Sequence, residues 1–82
     1  MDASVEISMY PLGREFLPEI KDFIERLNRH PEIECKTNGM STQVFGTFKE
    51  VMDALTSEMK FSFEKHGKIV FVLKIVNSNL KE

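Results

Sequence analysis

The chain has 82 residues, enough for one domain with a modest core and few enough to be marginal alone. Apolar residues make up 41 % and charged residues 29 %, the balance of a globular protein and not of a disordered one. The formal charge of −2, with Lys and Arg scattered among Glu and Asp, argues against a nucleic-acid partner, which takes a clustered basic face.

The single cysteine, Cys35, has no partner for an internal disulfide, and no Cys-x-x-Cys or Cys/His cluster occurs. One chain therefore offers neither a structural zinc site nor a cysteine-ligated iron–sulfur cluster. Met1 to Glu6 lacks the basic region and apolar run of a secretory signal. The longest apolar run, Ile69 to Leu73, is far too short to span a bilayer. The expectation is a cytoplasmic protein with no membrane partner.

Ser4 to Tyr10 alternates, with Val5, Ile7 and Met9 on one face and Glu6, Ser8 and Tyr10 on the other, which predicts a half-buried strand. Pro11-Leu12-Gly13 ends it. Phe16 to Asn28 reads as a helix: Phe16, Ile20, Phe23, Ile24 and Leu27 recur at steps of three and four, and Pro18 falls in the first turn. Glu32 to Thr37 is a short edge strand whose Glu32, Glu34 and Lys36 discourage edge pairing. Asn38-Gly39 is a turn signal, because both residues tolerate positive φ.

Ser41 to Phe48 is the next strand, and Gly46 within it marks a bulge or a close backbone approach. Lys49 to about His66 is a second helix with Val51, Leu55 and Met59 on its apolar face. Thr47 and Glu50 have the spacing of a capping box, and Gly67 is a left-handed stop. Ile69 to Val76 is a last strand, apolar on both faces, and Asn77 to Glu82 is a polar tail.

The order β-α-β-β-α-β in residues 1–82 predicts a single ferredoxin-like α+β domain. Right-handed crossovers put both helices on one face of a four-stranded antiparallel sheet. The core then holds Val5, Ile7, Met9, Phe23, Ile24, Leu27, Leu55, Met59, Phe71 and Leu73. The other face carries Glu6, Ser8 and Tyr10 with Val70, Val72 and Val76. Three valines on an open face predict a covering subunit, and a two-fold homo-dimer is the simplest one.

This fold hosts many functions, so function has to come from a site. Iron–sulfur ferredoxins and Cys-x-x-Cys metal carriers lack their ligands here. RNA-recognition modules need basic and aromatic residues on the central strands, where this chain has Glu6 and Gln43 beside Tyr10 and Phe45. Arg14 faintly echoes an acylphosphatase loop, without its glycine-rich cradle. His30 and His66 fall at helix ends, where the plain reading is a partner for the helix dipole. No nucleophile–base pair can be assembled, so no catalytic residue is assigned and an enzyme is not expected.

What remains is the polarity of Thr37 to Gly46. It is either a hairpin turn with solvated side chains or a small-ligand site. Val5-Glu6-Ile7-Ser8-Met9-Tyr10-Pro11-Leu12 and Thr37-Asn38-Gly39-Met40-Ser41-Thr42-Gln43-Val44-Phe45-Gly46, followed by Val51-Met52, resemble the YkoF-type thiamine-binding proteins. The likeness is closer to their small single-domain members, once a family of unknown function. The Met-Ser-Thr-x-x-x-Gly portion is its most specific part.

The resemblance implies a non-catalytic protein that binds thiamine or its hydroxymethylpyrimidine moiety in salvage or transport, with sheets paired into a homo-dimer or homo-tetramer. No other cofactor and no metal is implied. An aminopyrimidine offers ring-nitrogen acceptors and an exocyclic amine donor. Asn38, Ser41, Thr42 and Gln43 can meet both, and Glu6 can accept or balance a thiazolium charge. Tyr10 offers a π surface, Met40 an apolar wall, and Ser8 lies beside them. The plain readings stand next to these: an interface salt bridge for Glu6, packing for Tyr10 and Met40, turn formation for Asn38, and local hydrogen bonds for Ser41 and Thr42. An ACT-like regulatory or interaction module binding another small molecule is the alternative.

Overall fold

The computed structural model describes residues 1–13 and 16–82. It has six elements: β1 (Asp2–Pro11), α1 (Phe16–Leu27), β2 (Glu34–Thr37), β3 (Thr42–Thr47), α2 (Phe48–His66) and β4 (Ile69–Val76). The sheet order is β2-β3-β1-β4 and every neighbouring pair is antiparallel. This is the expected ferredoxin-like α+β arrangement. Arg14, the residue that echoes an acylphosphatase loop, lies outside the described residues.

Element ends differ from the sequence pattern where local chemistry takes over. β1 runs on to Pro11, which pairs with Ile69 at the strand's last position, where a missing N–H does least harm. Phe48 belongs to α2 and not to β3, because Thr47 caps the helix just before it. The Thr47 hydroxyl accepts the Glu50 amide at 3.2 Å, which is the N-cap half of the expected capping box, while Glu50 Oε1 accepts the same hydroxyl at 3.0 Å in place of the Thr47 backbone N–H. Gly67 stops α2 with φ 83°, and its N–H reaches the Phe63 carbonyl at 3.2 Å.

Gly46 answers its two sequence readings with close approach. Its pairing with Ala3 continues the β1–β3 register without an extra residue, so there is no bulge. A Cβ there would stand 3.2 Å from Val51 Cγ2 and 3.4 Å from the Glu32 carbonyl oxygen. Glycine lets α2 lie against β3 at this point.

Both helices pack on the face that carries Val5 and Ile7. The buried cluster joins those two with Phe23 and Leu27 from α1, Val44 from β3, and Val51, Ala54 and Leu55 from α2. Ile33, just ahead of β2, closes it, and Met9, Ile24, Cys35, Met59, Phe71 and Leu73 pack around the edge. All ten residues expected in the core are in this assembly. Ile33, Val44, Val51 and Ala54 join them because register and the α2 stripe aim them inward.

Among the described residues no helix packs on the opposite face. Tyr10, Val70, Val72 and Val76 are all exposed there, Val72 to 50 %. The residues after β4 are not a free polar tail. They cross this face, because Ser4 Oγ donates to the Ser78 carbonyl at 2.7 Å and accepts the Leu80 N–H at 2.8 Å. Lys36 Nζ donates to the Glu82 carbonyl at 3.4 Å, and Lys81 pairs with Glu34. The segment thus runs from β4 past β1 and β3 to β2.

Candidate functional site

The site forms where β1 ends and β3 begins. Between β2 and β3 the chain turns without the positive φ expected of Asn38-Gly39, since Gly67 alone among the described residues has one. The Asn38 side chain does the work instead. Its Oδ1 accepts the Met40 N–H at 2.8 Å and the Ser41 N–H at 3.1 Å, while the Asn38 N–H donates to the Ser41 carbonyl at 3.1 Å. This is an Asx turn, in which a side chain satisfies the loop amides. It leaves Met40 at the tip, 89 % exposed.

A cavity of about 440 Å³ opens between this loop, the end of β1 and the first turns of α1. Phe16, Ile20, Phe23 and Ile24 form one wall, and Ile7 and Met9 line the sheet side. Tyr10 and Pro11 stand beside them, and Ser8, Thr37, Asn38, Ser41 and Thr42 supply the polar groups. Six of the eight residues singled out from the sequence therefore meet at one cavity: Ser8, Tyr10, Asn38, Met40, Ser41 and Thr42. No described lining residue carries a charge.

Glu6 and Gln43 are elsewhere. They line a second cavity of about 380 Å³ on the open sheet face, with Phe45, Lys74 and Leu80. Ser41 reaches toward them: its Oγ donates to Glu6 Oε2 at 2.9 Å and accepts from Gln43 Nε2 at 2.9 Å. Lys74 Nζ is 3.5 Å from Glu6 Oε1. Neighbouring residues of a strand point to opposite faces, so Ser41 and Thr42 separate. Thr42, 5 % exposed, is paired with Ile7 on the helix side and bonds the Thr37 hydroxyl at 3.0 Å.

Sequence reasoning missed Thr37 as a partner of Thr42 and missed the α1 wall. The signal for the wall was present in Phe16 and Ile20, at the N-terminal end of the α1 stripe beyond its fully buried residues. The histidines are also more than dipole partners. His66 Nε2 lies 3.2 Å from Asp22 Oδ2, and His30 bridges Glu58 Oε2 at 2.7 Å and Glu32 Oε1 at 2.9 Å. Arg26 Nε donates to Glu58 Oε1 at 2.7 Å.

The hydrogen bond to Glu58 raises the His30 pKa, against the opposing effect of burial. Burial pushes Glu58 up, but hydrogen bonds and charge from His30 and Arg26 prevail and hold it below the usual carboxylate range. Asp22 is lowered in the same way by His66 and Lys65, against its own burial. These are helix-to-helix clamps, and none lines the cavity. Burial pushes the Cys35 thiol up to about 11, which leaves it a neutral packing group. Among the described residues no three His, Cys, Asp or Glu side chains gather to hold a metal ion, and no helix is long and apolar enough to cross a membrane.

Comparison with known folds places the chain among small α+β proteins. No protein-family model matches it, and no curated protein does. Solved structures do match. A hypothetical protein from Methanocaldococcus jannascii superposes with a TM-score of 0.80 at 25 % identity, over 99 % of this chain and 84 % of that one. A "putative thiamine biosynthesis/salvage protein" from Thermotoga maritima gives 0.82 at 20 % identity, over 99 % and 85 %. A domain of unknown function, DUF77, from Bacillus cereus gives 0.81 at 12 % identity, over 98 % and 79 %.

Proposed function

We propose that this chain is a non-catalytic binding protein of the YkoF type, taking thiamine or its hydroxymethylpyrimidine moiety in cytoplasmic salvage or transport. The observation that carries the reading is the cavity at the end of the sheet. Its walls are apolar and aromatic, and a few polar groups from the β2–β3 loop and the strand ends line it, Thr37 and Thr42 together on the helix side, as small-ligand sites require. The Thermotoga maritima neighbour, with its thiamine-related name, supports the same direction.

The hydrogen-bond inventory assigns roles. Thr37 and Thr42 use one proton between them, which leaves a second hydroxyl proton and free lone pairs for a pyrimidine. Asn38 has spent its Oδ1 on the loop and keeps its amide N–H groups as donors. Ser41 has spent its proton on Glu6, so it contributes less than Thr42. Tyr10, 53 % exposed, offers a ring to the cationic thiazolium at the mouth.

A second copy covers the open sheet face in this reading, giving a homo-dimer or a homo-tetramer. Tyr10 and three exposed valines supply the apolar area, each valine being worth roughly 1.5 kcal/mol or more when buried. Ser8, Tyr10 and Ser41 then lie at the border of cavity and interface.

Calorimetric titration with thiamine and with hydroxymethylpyrimidine tests the binding. Heat is expected from at least one, with Thr42→Val weakening it by roughly tenfold, the loss of one good hydrogen bond, and Ser41→Ala by less. Folded protein that gives no heat at about millimolar ligand, the weak end of the specific range, overturns the reading. A melting temperature raised by amino acids and not by pyrimidines would favour an ACT-like module.

A further inference from the structure

We propose that the cavity at the Phe45 end of the open sheet face is a second binding site, for a free α-amino acid with an apolar side chain. It is separate from the cavity of the pyrimidine reading and stands whether or not that reading holds.

Register builds the site from two adjacent rows across β3, β1 and β4. One row is Phe45, Ser4 and Val76, and the next is Gln43, Glu6 and Lys74. All six line the cavity of about 380 Å³, a volume within the roughly 300–1,000 Å³ of small-molecule sites. Leu80 flanks the first row, because its N–H is held on Ser4 Oγ at 2.8 Å. The Ser4 proton goes to the Ser78 carbonyl at 2.7 Å, so that hydroxyl is already engaged on both sides. What the first row offers a ligand is therefore apolar: Phe45, Val76 and Leu80. Leu80 is 60 % exposed and Val76 38 %, apolar area that a ligand side chain would cover.

The second row holds an acid and a base that do not satisfy each other. Lys74 Nζ stands 3.5 Å from Glu6 Oε1, beyond the about 2.7–2.9 Å of a charged hydrogen bond. Among the described residues Lys74 has no other ion pair, and its side chain is 82 % exposed. Glu6 is steadied from the other side, since its Oε2 accepts the Ser41 hydroxyl at 2.9 Å, and Oε1 keeps its capacity to accept. Gln43 gives one amide proton to Ser41 and keeps a second.

An α-amino acid matches this pair group for group. Its ammonium takes Glu6 Oε1, and its carboxylate takes Lys74 and the free Gln43 N–H. The two rows lie about 7 Å apart, the rise of two strand residues, so a side chain the size of leucine or phenylalanine spans from the second row to the first. A fatty carboxylate would meet the like charge of Glu6, and an alkylamine that of Lys74, so the pair also selects against half of the zwitterion.

Calorimetric titration with leucine and with phenylalanine tests the site. Heat is expected from at least one. Glycine is expected to bind at least about tenfold more weakly, for want of a side chain to bury. Isocaproate, which is leucine without its ammonium, and isopentylamine, which lacks the carboxylate, should be weaker by a similar factor. Lys74→Gln is expected to weaken the amino acid by about tenfold and Leu80→Ser by several-fold, while Thr42→Val leaves it unchanged. Folded protein that gives no heat with either amino acid at about millimolar ligand overturns the site. Isocaproate that binds as well as leucine overturns the ligand class. Heat that is lost in Thr42→Val and kept in Lys74→Gln moves the amino acid to the first cavity and overturns the site. Heat that vanishes as the protein associates at high concentration gives this cavity to a second copy and overturns it too. A failed pyrimidine titration touches none of these arms.

Discussion

The two faces of this sheet meet the same demand, removal of apolar side chains from water, by different means. On the helix face α1 and α2 supply a continuous cover, and Val5, Ile7, Val44, Leu27 and Leu55 are almost wholly buried. On the other face the segment after β4 is held over Ser4 at one end, and Tyr10, Val70 and Val72 stay exposed at the other. The first face gives the chain its stability. The second leaves exposed apolar side chains beside a cavity, and the proposed second copy would pack on that surface.

The largest test of the contrast is a cavity in the covered face. Leu55 is fully buried among both helices and the sheet, so Leu55→Ala is expected to cost about 2–5 kcal/mol in chemical denaturation. For a domain of this size that is a large share of the total. A cost under about 1 kcal/mol would mean that the helix face is not close-packed.

How well the sequence foretold each face follows from the kind of interaction involved. Helix-face residues were readable because period 2 and period 3.6 depend only on neighbours along the chain. Val5, Ile7, Phe23 and Leu27 declare themselves that way. Ser4 and Leu80 could not, since a hydroxyl bonded to residues 74 and 76 positions away leaves no local pattern. Asn38-Gly39 announced a turn, but whether positive φ or an Asx bond would make it depends on where the Asn38 side chain points. Alternation likewise separates Ser41 from Thr42, although the likeness to thiamine binders had grouped them. Of the candidate site, the polar residues and the apolar stripe of α1 were legible, but not that Phe16 and Ile20 wall the cavity, because a wall is a matter of which helix turns overhang the strand end.

A mid-sized effect comes from the clamp that holds the covering helices together. His30 lies beyond α1 and bonds Glu58 within α2, so it ties the two helices at that end. The folded pKa of His30 is raised, so its stabilisation is complete below the ordinary imidazole value of 6.5 and is lost as pH rises through the higher folded value. The folded pKa of Glu58 is lowered, so its share is complete above the ordinary 4.5 and is lost as pH falls through the lower folded value. The pair is fully effective between those two ordinary values. His30→Gln is expected to destabilise by about 1–2 kcal/mol near the upper end of that window, the range for a charged hydrogen bond at a partly exposed site. The cost should shrink as pH climbs past the folded His30 value. Equal costs in acid and in mild base would show that the ring matters for packing alone.

The smallest effect on folding should fall on the open face, and there the comparison is sharpest. Val72 is half exposed in the isolated chain, so Val72→Lys changes little that the fold depends on. Denaturation of dilute protein is expected to shift by no more than about 0.5 kcal/mol, the usual range for surface substitutions. Association should respond out of proportion. A two-fold contact brings the two copies of a residue near the axis close together, and two ammonium groups placed in an apolar patch repel and lose water at once. Sedimentation of concentrated Val72→Lys is therefore expected to give the mass of one chain where wild type gives two or more. A variant that associates as wild type does would move the contact off this face. One that unfolds would mean that the valines of β4 serve the fold, and the two faces would then differ less than their covers suggest.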